Sequence, residues 1–78
     1  MHIEKNDLVV CIENIGDYYL KICKVNKIHY KSDSYFPNSI TFSYKNGNYV
    51  KSATFSYSVF ESCFKQLNLN NINSSFFD

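Results

Sequence analysis

The run SITFSYKNGNYVKSATFSYS, residues 39–58, places Asn46-Gly47 between two alternating segments. Asn-Gly between alternating runs is the strongest short-range hairpin signal, because both residues tolerate the positive φ of a tight turn. Pairing about this dipeptide sets Tyr44 opposite Tyr49, Phe42 opposite Lys51 and Ile40 opposite Ala53. One face then carries Ile40, Phe42, Tyr44, Tyr49, Ala53, Phe55 and Tyr57. The other carries Thr41, Ser43, Ser52, Thr54 and Ser56. Such alternation predicts one packed face and one wetted face. Val50 and Lys51 break the pattern near the hairpin tip.

A second segment, YLKICKVNKIHYK (19–31), starts and ends as a strand but loses its alternation midway. Leu20, Ile22, Ile28 and Tyr30 are apolar at even positions. Lys24 and Asn26 interrupt them, while Cys23 and Val25 are apolar at odd ones. One regular strand would aim Lys24 at the core, and burying an unpaired charge is costly. The pattern therefore predicts two strands separated by a tight kink at Cys23-Lys24, with a bulge at Asn26.

Elsewhere, LVVCI (8–12) reads as a short buried strand. ENIGD (13–17) and KSDSYFPNS (31–39) read as loops, the second holding the only proline, Pro37. Ser58-Val59-Phe60-Glu61 matches a capping box, and Val59, Phe60, Cys63, Phe64 and Leu67 share one helical face. A helical turn or two is expected there. Residues 1–67 are expected to form the domain, and 68–78 a polar tail.

The chain has 78 residues, 45% apolar and 18% aromatic. It is too apolar for a disordered chain, and its Phe and Tyr side chains are numerous enough to fill a small core. Arginine is absent, and Lys, Asn, Ile, Phe and Tyr make up half the chain. These are residues of A/T-rich codons, which points to a low-GC source. A net charge of +1 announces no strong electrostatic partner. The apolar run Leu8 to Ile12 is too short for a signal sequence or membrane span. Three cysteines, Cys11, Cys23 and Cys63, form no closely spaced pair. Free thiols and a reducing cytoplasm are expected.

Strand, loop, kinked strand pair, hairpin and helical turn follow the order of Src-homology-3-like small β-barrels. Cys23-Lys24 resembles the diverging turn of such barrels, Asn46-Gly47 their distal hairpin, and SVFESCF the helical turn before a last strand. More narrowly, VVCIEN, YLKICKVNKI, YKNGNYV and YSVFESCF resemble small barrel proteins of tailed phages and prophages, over roughly residues 8–64. The resemblance implies a mainly all-β, five-stranded barrel. It also implies a phage accessory protein in the host cytoplasm, binding a host protein or complex, for instance as a counter-defence inhibitor. Ligand residues of the signalling members do not carry over, since their groove needs a tryptophan and this chain has none.

Chemistry-bearing residues are sparse. No carboxylate pair has the spacing of general acid–base work. Cys23, His29 and His2 lack the close pairing of a structural zinc site. No cofactor, metal or catalytic activity is expected. Two contact surfaces remain. Tyr18, Tyr19, Tyr35 and Phe36 are loop aromatics of the kind that mark partner-binding sites, although such residues also fold back to plug barrel ends. Lys21, Lys27, His29 and Lys31 share one parity, so a regular strand would present them together as a nucleic-acid-binding face. The plainer alternative is that these lysines decorate a solvated face and guard a strand edge.

Overall fold

A computed structural model describes residues 3–32 and 34–67. Five strands and one short helix follow in order: β1 (Leu8–Cys11), β2 (Ile22–Tyr30), β3 (Pro37–Asn46), β4 (Tyr49–Ser56), α1 (Tyr57–Cys63) and β5 (Phe64–Gln66), with a 3-10 turn at Gly16–Tyr18. The strands form one antiparallel sheet in the order β4-β3-β2-β1-β5. The mainly β expectation with five strands and a short helix therefore holds. The sheet is not closed: β4 and β5 are its two edges. α1 leaves β4, packs on β3, β4 and β5, and hands the chain to β5. The expected tail, 68–78, lies outside the described residues.

The expected kink at Cys23-Lys24 is not there. Both residues lie inside β2, paired across from Tyr44 and Ser43 on one side and Val9 and Leu8 on the other. What breaks the alternation is the bulge at Asn26, where the register with β3 shifts between Val25 and Lys27. Cys23 and Val25 point inward at zero exposure. One extra residue follows, and then Ile28 rather than Lys27 points inward, opposite Ile40. A bulge reverses parity without burying a charge, so one strand accommodates both halves of the pattern. The N-terminal segment fixes its position: Asn6 N–H donates to the Val25 carbonyl at 2.8 Å, and Val25 N–H donates to that of Asp7 at 2.9 Å. The Asn26 carboxamide donates to the Ser43 hydroxyl.

The sharp change of direction falls earlier, at Leu20, whose φ is +60°. Leu20 N–H donates to the Cys11 carbonyl at 2.9 Å, and Lys21 N–H to that of Tyr18 at 2.9 Å. A bulky residue in the left-handed region costs on the order of 1–2 kcal/mol.

The β3-β4 hairpin forms, with a register two residues from the expected one. Asn46 pairs with Tyr49, Tyr44 with Lys51, Phe42 with Ala53 and Ile40 with Phe55. The turn residues are Gly47 and Asn48, and Gly47 has φ +65°. Glycine at the first central position suits the II′ turn that matches strand twist. Because the shift is an even number, the face assignments from Ile40 to Ser56 survive, although Tyr49 is 74% exposed beyond the core and Tyr57 leaves the strand.

The core is aromatic. Phe42 sits at its centre, edge-on to Tyr18 at 5.6 Å and Phe55 at 5.4 Å, and 4.9 Å from Phe64. Phe60 of α1 stacks on Phe64 at 4.7 Å. Burying one such ring contributes about 1.5–3 kcal/mol. The capping box is not formed. Ser56, not Ser58, precedes the helix and makes no side-chain cap, while Ser58 lies within it and its carbonyl accepts from the Ser62 hydroxyl at 3.0 Å. The helix ends at Cys63 because Phe64 adopts extended backbone and pairs with Cys11 of β1. Helical spacing to Leu67 is overridden by that pairing.

Candidate functional site

The four loop aromatics separate into two unlike pairs. Tyr18 lies against the core, with its ring 4.8 Å from Tyr44, 5.4 Å from Phe55 and edge-on to both. It plugs the sheet near the hairpin end of β3 and is not a free contact residue. Tyr19, 44% exposed, is bridged to Cys11, and with Leu20 and Ile12 adds to the exposed apolar residues of that loop.

Tyr35 and Phe36 are 97% and 81% exposed. They precede Pro37, the first residue of β3, whereas Tyr44 lies toward its far end. From 37 to 44 a strand spans roughly 23 Å, so the two aromatic pairs mark opposite ends of the sheet. Beside Tyr35 and Phe36 lies a cleft of about 480 Å³, lined also by Tyr30, Pro37, Tyr57 and Glu61. Buried Ile3 forms part of its lining. A second depression of about 410 Å³ shares Phe36, Pro37 and Tyr57 and adds Lys31. Phe36 is thus common to two hollows.

Tyr30 was expected on the core face with Ile28. A second register shift between His29 and Tyr30 pairs Tyr30 with Pro37, and it is 55% exposed. Tyr57 was assigned to the packed face of β4 and instead opens α1. Its phenol pKa is raised, first by burial and then by the Glu61 carboxylate. The phenol therefore stays protonated, a neutral hydroxyl at the cleft wall beside one acid. No spacing rule joins 30, 35–36 and 57–61. Only the return of the chain through β3 and β4 brings them together.

The expected basic face is redrawn by the bulge. Lys21 precedes it, and its ammonium lies 5.8 Å above the Tyr44 ring, on the core side. Lys27 and His29 follow it and point outward, opposite Thr41 and Ser39. Lys24, flanked by inward Cys23 and Val25, shares that outer face. Lys45 and Lys65 join it, since Lys45 follows inward Tyr44 and Lys65 follows inward Phe64. Lys31 lies past the end of β2, at the second hollow. His29 Nε2 lies 2.8 Å from the Thr41 hydroxyl, and that hydroxyl 2.7 Å from Thr54, tying three strands together. None of the five strands contains Asp or Glu, so the outer lysines have no acid on their own sheet.

Two of the three thiols, Cys11 and Cys23, are buried. Burial pushes the Cys23 thiol up to about 12, with Cys11 adding to the rise and Lys21 opposing it. Cys11 is raised by burial as well, against a lowering effect of the Glu13 backbone. A nucleophile needs the opposite shift. Among the described residues no group of His, Cys, Asp and Glu could hold a metal ion, and no helix is long and apolar enough to cross a membrane. No protein-family model matches the chain, nor does any curated protein or solved structure.

Proposed function

We propose that the chain is a non-catalytic binding module whose contact surface is the aromatic cleft lined by Tyr30, Tyr35, Phe36, Pro37, Tyr57 and Glu61. The observation that carries this is the exposure of Tyr35 and Phe36 against a cleft of about 480 Å³. Large aromatics left in water beside a concavity are the residues that dominate protein–protein interfaces, since each buries much area for few rotatable bonds. The neutral phenol of Tyr57 and the nearby Glu61 supply polar orientation. Raised thiol pKa values support a non-catalytic role.

Strand order supports the Src-homology-3-like reading: β5 returns beside β1, and a short helix separates β4 from β5. In this reading the barrel is open, with α1 and Phe60 filling the gap between its edge strands. The resemblance to small phage proteins supplies the setting, an accessory protein that occupies a surface of a host protein in the cytoplasm, with inhibition of a defence complex as the sharpest form. The test is affinity capture from the host with the wild type and with Tyr35→Ser/Phe36→Ser. A stoichiometric partner held by the first and weakened at least ~30-fold with the second is expected, from hot-spot losses near 2 kcal/mol. A partner indifferent to both residues, or none, overturns the assignment.

A second reading is favoured by the outer face. Lys24, Lys27, Lys45 and Lys65 form a basic surface with no acid on the sheet, which suits a nucleic-acid backbone. Lys24→Glu/Lys27→Glu should then abolish retardation of single-stranded DNA or RNA, and the wild-type shift should weaken steeply with salt. No shift at low salt removes this reading.

A further inference from the structure

The two edges of the sheet are treated differently. β5 is three residues long and carries Lys65 at its middle. Short length and lysine are the devices by which natural sheets prevent edge pairing. β4 has eight residues, no proline, and no register shift against β3. It carries one charge, Lys51. Apart from Lys51, which lies opposite Tyr44 toward the hairpin tip, nothing on β4 blunts it.

Its hydrogen-bonding pattern follows from the turn. A two-residue loop closes through the Asn46–Tyr49 pair, which exchanges backbone bonds. Antiparallel pairs alternate between bonded and non-bonded. Tyr49, Lys51, Ala53 and Phe55 therefore spend their backbone groups on β3, while those of Val50, Ser52 and Thr54 point away; the carbonyl of Ser56, the N-cap of α1, serves the first helical turn. Among the described residues no strand lies beyond β4, and no turn or loop bonds to these groups. Their side chains are small or β-branched and all exposed.

We infer that β4 pairs antiparallel with β4 of a second copy, about a two-fold axis at Ala53, to continue the sheet from one chain into the next. This register pairs Ser52 with Thr54 of the other copy, hydroxyl against hydroxyl, and sets Val50 opposite Ser56. It sets Lys51 opposite Phe55, not opposite its own twin, so the only charge on the strand does not oppose assembly. A strand pairing with itself is isologous and closes at two copies. The outer faces of both chains then lie on one side of the continuous sheet, with the two β4 strands, which carry no outward lysine, between their lysines.

Analytical ultracentrifugation of the wild type from micromolar to near-millimolar concentration tests this directly. A concentration-dependent dimer is expected. Thr54→Pro removes only an N–H that points away from β3, at the position where an edge strand tolerates proline. It deletes two intermolecular bonds per dimer and should weaken dimerisation about 100-fold. Should Thr54→Pro fail to fold, Ser52→Lys/Thr54→Lys keeps both N–H groups, sets like charges opposite each other across the axis and should also give a monomer. A wild type that stays monomeric throughout overturns the proposal. So does a dimer that survives whichever of these variants retains the fold.

Discussion

Tyr18-Tyr19 and Tyr35-Phe36 are both adjacent aromatics in polar loops, and a sequence alone treats them alike. Their fates differ because of what each loop must span. The loop carrying Tyr18 crosses back over the open face of the sheet, and its ring meets Phe42, Tyr44 and Phe55 there. The loop carrying Tyr35 and Phe36 joins β2 to β3 beyond the end of the core, where no buried ring is left to receive them. Tyr18 contributes stability, and Tyr35 and Phe36 surface chemistry. A small domain has one core, and position relative to Phe42 decides which aromatics share it.

That contrast can be broken by substitution. Phe42→Ala should cost the most, about 3–5 kcal/mol, enough to unfold much of a small domain; loss of a cooperative urea transition would show it. Tyr18→Ala should cost about 2 kcal/mol, read as a lowered urea midpoint. A midpoint unchanged by Tyr18→Ala would return Tyr18 to the surface.

Alkaline pH probes the buried side of the same contrast. Cys23 has an ordinary value of 9.0 and is raised to about 12 in the fold. Between those values the unfolded chain releases the proton and the folded chain keeps it, so stability falls as pH rises from about 9 toward 12. Cys11 and Tyr44, also raised by burial, act in the same direction. Urea midpoints at pH 7.5 and 10.5 should diverge, and less so in Cys23→Ala. Smaller still is Leu20→Gly. It removes a left-handed leucine that is 64% exposed, and should stabilise by up to about 1 kcal/mol despite glycine's greater chain entropy. Phe36→Ala should move the urea midpoint least, by under about 0.5 kcal/mol, while partner binding falls. A larger loss of stability would place Phe36 in the core.

Much of the fold was legible locally. The hairpin face set, the bulge at Asn26 and the helix near residue 60 are each written within a few neighbouring residues. The error at Cys23-Lys24 came from explaining one parity change twice, by a kink and by a bulge. The bulge alone suffices, and the turn at Leu20 was hidden because leucine carries no turn signal. The same reversal misled the lysine assignment: counting odd positions joined Lys21 to Lys27, and the extra residue separates them. The cleft was half legible, through Tyr35 and Phe36. Tyr30 and Tyr57 looked like core residues, because alternation cannot reveal a second register shift or the residue at which a strand becomes a helix.

By itself the order of residues determined that this chain makes an antiparallel, aromatic-centred sheet, since a two-residue period and a turn opened by Gly47 act over short distances. Tertiary structure alone decided which rings are core, which lysines share a face and where the sheet stays open. Those outcomes depend on long-range pairing: β5 returning to β1, the N-terminal segment bonding to Val25, and α1 packing on β3. Such contacts join residues far apart in the chain, and no local preference encodes them.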